Sequence, residues 1–116
     1  MRINEISVLL DAELHTEGHN PDLDIYSACG ADLMSDVMAF SKENAMMITG
    51  LVNPQVIRTA EMMDIRVVVF VRGKKPQGCM VAMAEEKGIA VLSTDLPMFS
   101  ACGKLYQHGI HGRGES

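Results

Sequence analysis

The chain has 116 residues, 47% of them hydrophobic and 22% charged, with a formal net charge of −5 at pH 7. That composition suits one domain large enough to bury its own core, and it is too apolar for a disordered chain. The acidic balance argues against a surface built for nucleic-acid phosphates or an anionic membrane, and no run approaches the roughly 20 apolar residues that span a bilayer, so a cytoplasmic protein is expected.

Ile3, Ile6, Leu9 and Leu10 have the spacing of a short amphipathic helix. An irregular or edge-strand segment through residues 17–21 should follow it and cover one edge of a sheet. From Tyr26 onward, short apolar runs alternate with segments of helical period, the pattern of βαβ units with a parallel sheet. The clearest run is Val67, Val68, Val69, Phe70 and Val71, an unbroken β-branched and aromatic stretch that requires burial on both faces. Residues 25–29, 45–49 and 89–93 are weaker runs of the same kind, giving four parallel strands.

Each strand should lead into a capped helix. Asp32 can cap a segment holding Leu33, Val37 and Phe40. Asn53 can cap a helix with Pro54 in its first turn, burying Val56, Ile57, Ala60 and Met63 and leaving Gln55, Arg58, Thr59 and Glu61 to solvent. Met80, Met83, Ala84 and Lys87 form a third helix ended by Gly88. Asp95 and Pro97 open a last one carrying Met98, Cys102, Leu105 and Tyr106, ending near Gly109. The expected organisation is one domain over residues 1–110 with a flexible tail over 111–116. Cys29, Cys79 and Cys102 are odd in number and widely spaced, which reads as reduced core thiols and no disulfide framework.

In an open parallel sheet, ligands sit beyond the carboxyl ends of the strands, where helix N-termini present free N–H groups. The loops there hold residues 29–32, 49–53, 72–75 and 93–95. Glycines and Asn, Asp or Ser in such loops also serve as plain turns and caps, and a basic turn is commonly just solvated. Gly73 to Gly78 has the glycine spacing of a Walker A loop, but Cys79 and Met80 stand where the lysine and the hydroxyl belong, so NTP hydrolysis has no machinery there. No GxGxxG follows a strand, which disfavours a Rossmann site. Three thiols without a CxxC pair make a zinc or iron–sulfur centre a weak reading. His15 with His19, and His108 with His111, read as surface histidines. No nucleophile sits in a GxSxG elbow, and composition alone leaves triads open.

The stretches from Asp32 to Val37, from Ile48 to Ala60 and from Val69 to Lys74 resemble the small stand-alone DRTGG-domain proteins, although the five-letter motif itself is not present. The likeness runs over nearly the whole chain to Ile110. It implies a three-layer α/β sandwich with a mainly parallel sheet of about four to five strands, like the N-terminal domain of HPr kinase/phosphorylase and the DRTGG segments of phosphotransacetylases and CBS-containing pyrophosphatases. In those proteins the domain is regulatory and accompanies a separate catalytic domain. The expectation is therefore a non-catalytic module without a cofactor or metal, sensing a small anionic ligand such as a nucleotide or phosphorylated metabolite. Thr49, Gly50, Asn53, Arg72, Gly73 and Lys74 would line the site. Thr49 and Asn53 would hydrogen-bond the ligand, Gly50 would allow close approach, and the cations would meet its charge. The resemblance also implies a homodimer. The alternative is an accessory subunit of a hydrogenase-type redox complex with no small ligand, and a third reading is a thiol or iron–sulfur redox carrier.

Overall fold

The computed structural model describes residues 1–40 and 45–112. The elements run α1 (Ile3–Leu10), β1 (Glu13–Leu14), β2 (Ser27–Gly30), α2 (Met34–Phe40), β3 (Ala45–Thr49), α3 (Pro54–Met62), β4 (Val67–Phe70), α4 (Gly78–Glu86), β5 (Ala90–Ser93) and α5 (Met98–Gln107). They build one five-stranded sheet of order β1-β5-β4-β3-β2, in which β2 to β5 are parallel and β1 lies antiparallel on β5.

Alternation explains the layers. Along β4, Val67, Val69 and Val71 join Ile48, Leu92, Ile6, Ala101 and Leu105 on the face covered by α1 and α5. Val68 and Phe70 join Met47, Val91, Ile57, Met80 and Val37 on the face covered by α2, α3 and α4. Each β4 side chain is withdrawn from water on one face or the other, which is why the run has no polar interruption; each contributes about 1.5–3 kcal/mol by burial.

The caps follow the sequence in part. Asn53 accepts the Gln55 N–H at 2.8 Å and Pro54 fills the first turn of α3, as the residues predict. Gly88 ends α4 at φ 70°. Asp32 and Asp95 are corrections: α2 starts at Met34 with the Asp32 carboxylate directed elsewhere, and α5 starts after Pro97 with no side-chain cap. Leu33 accordingly lies outside α2 and is 62% exposed. Thr59 is a further correction, being fully buried in α3.

The edge strand is Glu13–Leu14, ahead of residues 17–21. Asp11 turns the chain back in a left-handed conformation (φ 49°) immediately after α1, so β1 reaches β5 within two residues. The second strand begins at Ser27, and the Ile25 N–H before it donates to the Met1 carbonyl at 2.8 Å. At the other end of the chain, the His111 N–H bonds the Tyr26 carbonyl at 3.1 Å and the His111 carbonyl accepts the Ala28 N–H at 2.9 Å. Backbone pairing thus extends one residue into the segment expected to be a flexible tail; residues 113–116 lie outside the described residues.

Candidate functional site

The register brings Thr49, Phe70 and Ser93 side by side, so β3, β4 and β5 end at one level and their loops share a rim. Chain direction splits that rim. The loop after β4 turns to α4 on one face and the loop after β5 to α5 on the other, which in parallel α/β folds opens a crevice between the two strands. Here the crevice is closed by main chain: the Arg72 N–H donates to the Leu96 carbonyl at 2.8 Å and the Gly73 N–H to the Thr94 carbonyl at 2.9 Å. Thr94 adds a buried hydroxyl that donates to the Leu10 carbonyl at 2.7 Å and accepts the Leu96 N–H at 3.2 Å. What remains on the α5 side is a cavity of about 350 Å³ bordered by Asp11, Asp95 and Lys104.

Between β3 and β4 the rim is closed by side chains. The Asp32 carboxylate accepts the Gly50 N–H at 2.8 Å and the Thr49 hydroxyl at 3.3 Å through Oδ1. Its Oδ2 faces Arg72 Nη2 at 3.4 Å, with both side chains 51% exposed. The guanidinium lies over Gly50 so closely that a Cβ there would stand 2.9 Å from Arg72 Cζ. Arg72 itself has φ 60°, a left-handed conformation that Asp or Asn tolerate far better than a long side chain.

The structure brings Thr49, Gly50 and Arg72 together, with Gly73 directly after Arg72 and the exposed Lys74 one residue further on. Two expected ligand contacts are already engaged in part. The Asn53 side-chain oxygen accepts the Gln55 N–H as the α3 cap, and the buried Thr49 hydroxyl donates to Asp32 while accepting the Leu51 N–H at 3.1 Å. Gly73 has φ 71° and sets the turn. Sequence reasoning missed Asp32, which reads locally as a cap; its place in a rim loop was the available signal.

A second constellation also escaped. His15 Nε2 lies 2.7 Å from Ser93 Oγ, and His15 Nδ1 lies 3.5 Å from a Glu13 carboxylate oxygen. This corrects the surface-histidine reading, since the His15 side chain is only 14% exposed. The order of groups is that of a serine-hydrolase triad, but such chemistry needs N–H groups aimed at an oxyanion. The N–H groups of Thr94, Arg72 and Gly73 beside Ser93 all donate to backbone carbonyls. The arrangement fastens β1 to β5, with Lys75 reaching the other Glu13 oxygen at 3.3 Å.

All three cysteines are free. Cys79 is exposed, a correction to its reading as a core thiol, while Cys29 and Cys102 are half-buried. Burial pushes the Cys29 thiol up, with help from Asp36, and burial pushes Cys102 up, with help from Cys29, so both favour the unreactive protonated form. Among the described residues no group of three or more His, Cys, Asp or Glu could hold a metal ion, and no helix is long and apolar enough to cross a membrane.

The architecture is a DRTGG-like α/β fold, a mainly parallel sheet between two helical layers. It is similar to the crystal structure of the CBS and DRTGG domains of the regulatory region of Clostridium perfringens pyrophosphatase, complexed with the activator diadenosine tetraphosphate. The TM-score is 0.76 at 17% identity, over 91% of this chain and 46% of that one, so the chain spans about half the length of the structure it matches. No family model matches the sequence, and no curated protein matches it.

Proposed function

We propose that this domain is a non-catalytic regulatory module that senses a small anionic ligand, a nucleotide or phosphorylated metabolite, at the rim between β3 and β4. The observation that carries the reading is Arg72: a long cationic side chain kept in a left-handed backbone conformation and laid over a glycine, half exposed, two positions before the exposed Lys74. Strain of this kind persists where the side chain has a use. Gly50, Arg72, Gly73 and Lys74 would form the contact surface, with the Thr49 hydroxyl, now held by Asp32, behind it and the Asn53 oxygen committed to the α3 cap. That the pyrophosphatase regulatory region was crystallised with a nucleotide activator agrees with such a role. The spent N–H groups around Ser93 favour binding over acyl-transfer chemistry.

Inorganic pyrophosphate and ATP at millimolar concentration should raise the melting temperature, by mass action on the folded state. The rise should vanish in Arg72→Gln. A melting curve that neither compound moves would sink the sensing role.

A second reading, self-association, draws on a different surface. Val8 on α1 and Phe99 on α5 are 83% and 89% exposed, and Tyr106 is 59% exposed, all on the layer opposite α3. Sedimentation should then show a dimer that Phe99→Glu converts to monomer; a monomeric native chain would exclude it.

A further inference from the structure

We propose that Asp32 is a built-in occupant of the anion position at the rim, which an incoming ligand must displace. The inference rests on the sensing role proposed above and adds its regulation. Three donors converge where an external anion would be held: the Gly50 N–H, the Thr49 hydroxyl and the Arg72 guanidinium. All three meet the two oxygens of one carboxylate from the chain itself, a planar anion in place of a phosphoryl group.

The occupant is free to leave. Asp32 lies between β2 and α2, and the backbone on either side is held independently: the Ala31 N–H donates to the Ile48 carbonyl at 3.0 Å, and the Asp36 N–H to the Leu33 carbonyl at 3.0 Å. A change of rotamer at residue 32 therefore breaks no sheet or helix bond. Its ion pair with Arg72 is half exposed, and pairs of that kind contribute little. A weak monoanion gains nothing by the exchange, whereas a ligand with two or more negative charges gains Arg72 and Lys74 together. Asp32 thus sets a charge threshold: it lowers affinity for every anion and leaves the position open to the more highly charged ones.

The test is calorimetric titration of inorganic pyrophosphate into the native chain, Asp32→Asn and Arg72→Gln at low ionic strength. Asparagine keeps an oxygen for the Gly50 N–H while losing the charge. Its affinity should rise roughly tenfold, the effect of lifting one like charge a few ångströms from a multivalent anion in a near-aqueous setting. Arg72→Gln should bind much more weakly than the native chain. The Gly50 amide resonance should move on pyrophosphate addition in both the native chain and Asp32→Asn. If Asp32→Asn disturbs folding by circular dichroism, Asp32→Ser, which keeps a smaller acceptor, replaces it with the same expected gain. Native binding with no gain in the neutral variant would overturn the displacement while leaving the sensing role standing. Folded proteins that all fail to bind pyrophosphate would overturn both.

Discussion

Between β4 and β5 the rim is sealed by main chain, the N–H groups of Arg72 and Gly73 reaching across to Leu96 and Thr94, whereas between β3 and β4, beyond the bond from the Val71 N–H to the Thr49 carbonyl, it is closed by the side chains of Asp32 and Arg72 over Gly50. The strands on either side are equally regular. The difference lies in what holds the loops: backbone bonds persist through most substitutions, while exposed side-chain contacts contribute about 0–1 kcal/mol and are readily exchanged. A crevice that the topology would open between β4 and β5 is therefore blocked, and the exchangeable position moves one strand over.

The comparison can be broken most sharply at Thr94. Thr94→Val removes a buried hydroxyl that serves both the Leu10 carbonyl and the Leu96 N–H, and should cost about 1–3 kcal/mol in urea unfolding. A loss within a few tenths would mean that the main-chain seal does not depend on that hydroxyl. The two glycines sharpen the contrast. Gly73→Ala forces a left-handed residue against Asp95 Oδ1, 3.2 Å from the new Cβ, and should cost about 1–2 kcal/mol. Gly50→Ala collides only with the far end of a flexible arginine, so it should change stability by less than about 1 kcal/mol while displacing the guanidinium and weakening pyrophosphate binding. Equal losses at the two positions would erase the distinction between the gaps.

Much of the scaffold could be read from the residues, for reasons that are local. Val67 to Phe70 announces a doubly buried strand because both faces need apolar side chains, and Asn53 with Pro54 announces a helix start because cap and first turn are neighbours in the chain. The edge strand could not be read, since two exposed residues carry no periodicity and its place depends on the left-handed turn at Asp11. Thr59 fell on the wrong face because a small hydroxyl residue in a helix is compatible with either.

The site was legible as a region and not as a network. That strand-to-helix loops would meet at one rim follows from parallel topology, and Gly50 and Arg72 do meet. That Asp32 would bond Gly50 instead of capping α2 depends on the pairing of Gly30 with Ile48, which places the end of β2 beside the end of β3. His15 and Ser93 are 78 positions apart and are joined only by the antiparallel register of β1 on β5.

Arg72 is rooted in the sealed gap and reaches into the exchangeable one: its N–H is committed to Leu96 while its guanidinium lies over Gly50. What the rim recognises is thereby uncoupled from how the loop is built. Such a scaffold can acquire a new preference by exchanging the arm at residue 72, and asparagine or glycine, which suit the left-handed backbone, would be the least costly exchanges to begin from.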